Sequence, residues 1–154
     1  MRDSITIGDS EIRNQGLNQL YGSWRLISAK VQIIGVDAEP RDLFGPEPLG
    51  RLILTADHHM IVFLSAGSRK PPTNEAEAAA MMSTMLAYTG KYRLEGDKFI
   101  TTVDGSWNEA TRGRDLIRAF KVEGDKLTVH VPEQPSGVAP GKANTGDLIF
   151  ERER

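Results

Sequence analysis

Three groups of residues in this chain have the types and spacing to do chemistry. The first is Asp57-His58-His59, two imidazoles beside a carboxylate. Histidine titrates near neutrality and a neighbouring carboxylate can orient its ring, so His59 with Asp57 is a candidate general base. The triplet also reads as a turn, where polar residues stand exposed without any chemical role. The second is Arg118, flanked at i−2 and i+2 by Leu116 and Phe120. A guanidinium on an apolar face must find a partner, because burying it unpaired is costly. The carboxylate, phenolate or enolate end of a ligand would serve, since the planar fork of donors matches such groups. The third is Tyr92 with Thr101, two hydroxyls in apolar settings that can meet a ligand or a backbone carbonyl. With His59 moving a proton and Arg118 or Tyr92 stabilising an oxyanion, the set is that of a cofactor-independent isomerase, cyclase or lyase. Without the base it is a binding site for a small, largely hydrophobic or aromatic molecule with one polar or anionic end.

A phrase that occurs twice shows what positions these residues. Residues 92–103 read YRLEGDKFITTV and residues 120–131 read FKVEGDKLTVHV. Each Glu-Gly-Asp-Lys joins two runs of alternating apolar and polar residues, the pattern of a β-hairpin closed by a two-residue Gly-Asp loop. Upstream, WRLISAKVQII (Trp24 to Ile34) reads as a first strand, and Gly35 to Gly50, with three prolines and three glycines, as a loop. RLILTADHHMIVFLSA (Arg51 to Ala66) reads as two strands around a tight turn at Asp57-His58. Asn74 stands three residues before Glu77, a capping box, and opens a helix expected to end near Gly90. Met81, Met82, Met85 and Leu86 form its apolar stripe and would close one end of the molecule. The two hairpins follow, then a flexible loop over Pro132 to Asp147 and a last strand, LIFERER. Residues 1–16 read as a loose tail, Leu17 to Leu20 as a helical turn, and 17–154 as a single domain. The prediction is an all-β fold, an eight-stranded antiparallel up-and-down barrel with one helix inserted after the third strand. A barrel of eight strands can hold one small ligand.

Counting back from each Gly-Asp loop fixes which side chains share a face. Tyr88, Gly90, Tyr92 and Leu94 face inward with Phe99, Thr101, Val103 and Gly105. Lys91, Arg93, Glu95, Lys98 and Asp104 face outward, with Glu95 and Lys98 as a cross-strand ion pair. In the second hairpin Leu116, Arg118, Phe120 and Val122 face inward with Leu127, Val129 and Val131, whereas His130 points out. Trp107 continues the inner parity toward the barrel mouth. The candidate ligand contacts are therefore Arg118, Tyr92, Thr101, Trp107, Phe120, Tyr88, Phe99 and Val129. The count does not reach the Asp57 turn, because Ile53, Met60 and Val62 are as apolar as Leu54, Ile61 and Phe63. His59 points at the cavity mouth only if the second set faces in.

Composition narrows the field. The 154 residues suffice for one real core, burying roughly 70% of the unfolded surface. Net charge is −2 with Lys and Arg scattered, so neither nucleic acid nor an anionic membrane is an expected partner. There is no cysteine and there are three histidines, which leaves no thiolate site and little for a metal. No glycine-rich phosphate loop or nucleophile elbow occurs, and no cofactor is expected. No apolar run approaches the ~18 residues of a membrane span, and Asp3, Asp9 and Glu11 interrupt the N-terminus where a signal peptide would be apolar. A cytoplasmic monomer or homodimer is the expectation.

Gly22-Ser23-Trp24 matches the Gly-x-Trp signature of lipocalins, and from about Leu20 to Val131 the chain resembles the bacterial and fungal lipocalin-like domain family. The likeness rests on LYGSWRLISA, GPEPLGRLILTADHHM, AYTGKYRLEGDKF, and VDGS followed by RAFKVEGDKLT. It implies a calycin-type barrel, and a family of small-molecule binders and enzymes of secondary metabolism. It also implies a second use for Arg118: lipocalins commonly stack a late-strand Arg or Lys on this tryptophan, so Arg118 or Arg152 is expected over Trp24. Two positions depart from the family. Thr101 and Thr102 stand where it often has histidine, and His58 where it favours glycine. Three readings stay open: a binding barrel, an enzyme in the same cavity, and a filled barrel with no ligand.

Overall fold

Alternation makes the strands and short polar turns join them. The computed structural model describes residues 19–136 and 139–154. The expected tail at 1–16 lies outside them, as does the first half of the 17–20 turn, whose residues Gln19 and Leu20 are helical. The elements run β1 (Gly22–Ile33), β2 (Arg41–Asp42), β3 (Pro48–Leu54), β4 (His59–Ala66), α1 (Glu75–Ala80), β5 (Met85–Glu95), β6 (Lys98–Ser106), β7 (Asp115–Glu123), β8 (Lys126–Pro135) and β9 (Ala143–Arg152). Neighbours pair antiparallel from β3 to β9, and β1 pairs with β3 on one side and β9 on the other. That closes an eight-stranded barrel and leaves it without a free edge. The two-residue β2 is a ninth strand, paired with Lys30 and Val31 on β1.

Both Gly-Asp loops form as expected. Glu95 is opposite Lys98 and Glu123 opposite Lys126, with Gly96 and Gly124 at φ of 62° and 63°. A positive φ at the first loop residue is that of a II′ turn, which matches the twist of the flanking strands. The expected ion pair does not form: Glu95 takes Arg93 on its own strand at 2.8 Å and Lys98 takes Asp97 at 3.1 Å.

Other boundaries differ from expectation. Asn74 caps α1, its side chain accepting from the Glu77 amide at 2.8 Å, but the helix stops at Ala80 and a 3₁₀ turn follows over Met81–Thr84. Met85, Leu86 and Ala87 join β5 and pair with Ser65, Leu64 and Phe63. A sheet partner satisfies their backbone where a helix with no buried residue could not hold them. The segment read as a loop from Pro132 to Asp147 is mostly strand. A register shift between Val131 and Gln134 absorbs Pro132, which has no N–H to offer the ladder. A second shift on β1 bulges Ile27 outward, so the inward set changes from Trp24 and Leu26 to Ala29, Val31 and Ile33.

Candidate functional site

An up-and-down barrel has two unlike ends. The turns β3–β4, β5–β6 and β7–β8 are tight and crowd one end. The long connections 34–47, 67–84 and 107–114 gather at the other, where β8 ends and β9 begins.

The tight end is packed. Tyr92, Phe99 and Phe120 form a chain of rings with centroids 6.5 Å and 6.0 Å apart. Thr101 and Val129 are buried in the same half. The Tyr92 hydroxyl donates to the Thr55 carbonyl at 2.6 Å, which makes it a brace for the β3–β4 turn. Burial, followed by the nearby Asp57 charge, pushes its pKa up to about 12. Trp24 seals the base: its indole N–H donates to the Leu20 carbonyl at 2.8 Å, and the Arg152 guanidinium lies 4.2 Å above the ring. The cation on the tryptophan is therefore Arg152.

The Asp57–His59 turn belongs to this end as well. His59 opens β4 on its outer face, with Met60, Val62 and Leu64 buried while Ile53, Ile61 and Phe63 stay more than a third exposed. The His59 side chain is 54% exposed and its Nδ1 lies 3.3 Å from Asp57. Both groups serve the turn. The Thr55 hydroxyl donates to Asp57 at 2.5 Å and accepts from the His59 amide at 2.9 Å. The Thr55 bond, followed by His59, holds the Asp57 carboxyl below the usual range. His58 takes the left-handed conformation, φ 70°, and its ring rests on Tyr92 at 5.4 Å.

At the open end lies a cavity of about 200 Å³. Of the expected ligand contacts it collects Arg118, Tyr88 and Trp107; Tyr92, Thr101, Phe99, Phe120 and Val129 are not in its wall. Arg118 is 8% exposed. Its Nη1 donates to the Ile117 carbonyl at 2.9 Å and to Gln134 Oε1 at 3.1 Å. No carboxylate among the described residues pairs with it. The Tyr88 hydroxyl makes no hydrogen bond among the described residues, whereas the Trp107 indole donates to the Met82 carbonyl at 3.2 Å. The wall also includes residues that the sequence reading missed: Lys30, Arg114, Gln134 and Asn144. Arg114 was within reach, since stepping back from Arg118 by two passes Leu116 and arrives there. Gln134 and Asn144 were hidden in the segment read as loop, where they are in fact cross-strand partners. The described wall carries cations but no carboxylate and no imidazole, in a chain of net charge −2.

A closed antiparallel barrel, packed at one end and hollow at the other, defines a small-molecule-binding domain of the calycin type. The sequence profile of the lipocalin-like domain matches residues 21–153, and the protein belongs to that family. No curated protein matches the chain. Among the described residues no helix is long and apolar enough to cross a membrane.

Proposed function

We propose that the protein binds a small, largely hydrophobic or aromatic molecule in the open-end cavity, with its single anionic end on Arg118. The observation that carries this reading is a nine-tenths buried guanidinium in the cavity wall, hydrogen-bonded among the described residues only to neutral oxygens. A buried cation without a counter-charge is expensive to keep, and an anionic ligand removes that expense. The usual structural alternative is occupied, because Arg152 covers Trp24. Gln134 holds the guanidinium in place, while the Tyr88 hydroxyl, without a partner among the described residues, is available to a ligand. The runner-up, a cofactor-independent isomerase, cyclase or lyase, would need a base other than His59, which stands outside the barrel at the opposite end.

The test is calorimetric titration of naphthoate and its neutral carboxamide into the wild type and Arg118→Met. The wild type should prefer the carboxylate, and the variant should lose about tenfold to a hundredfold in affinity for it, the range for a charge-assisted hydrogen bond. Thermal stability should change little, since the lost hydrogen bonds are offset by removing the desolvation cost of a buried charge. Unchanged naphthoate affinity together with a large loss of stability would make Arg118 structural and defeat the proposal. Native mass spectrometry of freshly purified protein is the direct route to the ligand.

A further inference from the structure

The strand that carries Arg118 supports a second unneutralised guanidinium. Arg114, Leu116 and Arg118 are alternate residues, and all three line the cavity. They occupy one face of β7 and of the residue before it, at two depths. Arg118 is buried, Leu116 is buried between the two, and Arg114 is exposed at the rim. At about 3.3 Å per residue the two arginine Cα atoms are on the order of 13 Å apart. The acids near Arg114 are committed elsewhere: Glu109 pairs with Arg112 at 2.7 Å, and Asp115 with Arg93 at 3.4 Å. Arg114 makes no ion pair and no side-chain hydrogen bond among the described residues. The third cation of the wall differs, because Lys30 is neutralised by Asp42 at 2.6 Å. Leu116 separates the two arginines along the strand, and Leu148 and Trp107 add apolar surface to the same wall.

One anion on Arg118 accounts for half of this pattern. Two forked donors, each without a carboxylate and separated by an apolar stretch, match a molecule with an acidic group at each end. We infer that the cavity takes a bolaform dianion: an apolar or aromatic body with one acid group on Arg118 and the other on Arg114 at the rim. This rests on the reading of Arg118 as the anion anchor and adds the second contact. Such a ligand enters charged end first and leaves its trailing acid at the mouth. The second cation thereby sets ligand length as well as charge. A rim arginine that only steers anions would favour every dianion alike and would select no length.

The experiment is calorimetric titration of octanedioate, decanedioate and dodecanedioate, each beside the monocarboxylate of equal chain length. The wild type, Arg114→Gln and Arg118→Gln are compared, with thermal unfolding as the check on folding. The wild type should bind its best-fitting dianion at least about tenfold more tightly than the matching monocarboxylate, a convincing margin for one added charge-assisted contact. Arg114→Gln should abolish that preference and leave monocarboxylate affinity within about twofold, since only the rim contact is lost. Arg118→Gln should weaken both classes. If monocarboxylates bind through Arg118 while the dianions show neither a length optimum nor an advantage, the two-ended reading is overturned and the single-anion reading stands. The two-ended reading also falls if Arg114→Gln weakens both classes equally, or weakens dianions of every length alike, which is the signature of steering. If neither class depends on Arg118, the single-anion reading falls with it.

Discussion

Three polar side chains that looked alike in sequence meet three different ends. Tyr92, Thr101 and Arg118 all lie on inward faces, and each is at least nine-tenths buried. Tyr92 bonds a backbone carbonyl, Arg118 borders a cavity, and the Thr101 hydroxyl has no partner among the described residues. An unmet buried hydroxyl costs about 1–3 kcal/mol. Thr101→Val keeps the shape and deletes the hydroxyl, so it should stabilise the fold by about 1 kcal/mol. Urea denaturation would show this as a higher midpoint with unchanged slope, and a lower midpoint would mean that the hydroxyl is satisfied after all. The two late arginines make the same point. Period-two counting puts Arg118 inside, but it cannot say which arginine covers Trp24, because Arg152 reaches the ring through the β1–β9 closure.

At the scale of elements, local signals succeed where the backbone has few options. The Gly-Asp loops and the Asn74 cap form as the residue types demand. They fail where a sheet competes for the same residues: Met85 to Ala87 would continue a helix on propensity but pair with β4 instead. The β3–β4 turn is the most informative element. His58 bears a left-handed φ that glycine adopts freely and other residues adopt at a cost. His58→Ala keeps that cost and loses the ring contact with Tyr92, whereas His58→Gly sheds it. The glycine variant should therefore be about 1 kcal/mol more stable than the alanine variant by chemical denaturation. Equal stabilities would show that the turn relaxes its backbone when the imidazole is gone.

The whole molecule is polarised along the barrel axis, with a packed core at the tight-turn end and the cavity at the long-loop end. Stability at high pH should report on the packed end. The Tyr92 pKa is raised above its ordinary value of 10 to about 12, so the folded state holds the phenol proton more tightly than the unfolded state does. That contribution is complete below pH 10 and is lost as pH rises toward 12. The unfolding temperature of the wild type should fall more steeply across this window than that of Tyr92→Phe. Parallel curves would show that Tyr92 is not the group that titrates. The anion binding proposed for the open end should hardly change in Tyr92→Phe, since Tyr92 is no part of the cavity wall.

The sequence by itself determined the closed eight-stranded barrel, the two-residue Gly-Asp loops and the inward faces next to them, such as Tyr92 and Leu94 against Thr101 and Phe99. Each follows from a period or a short-range backbone demand. The tertiary structure alone decided that His59 faces out, that Ile27 bulges and flips the parity of β1, and that Phe99, Phe120 and Val129 fill one end. It also decided that the hollow lies at the other end, around Arg118 and Arg114. The physical reason is that alternation reports which side of a sheet a residue occupies and carries nothing about depth along the barrel axis. Depth, and with it the difference between core and cavity, is set by packing between strands far apart in the chain.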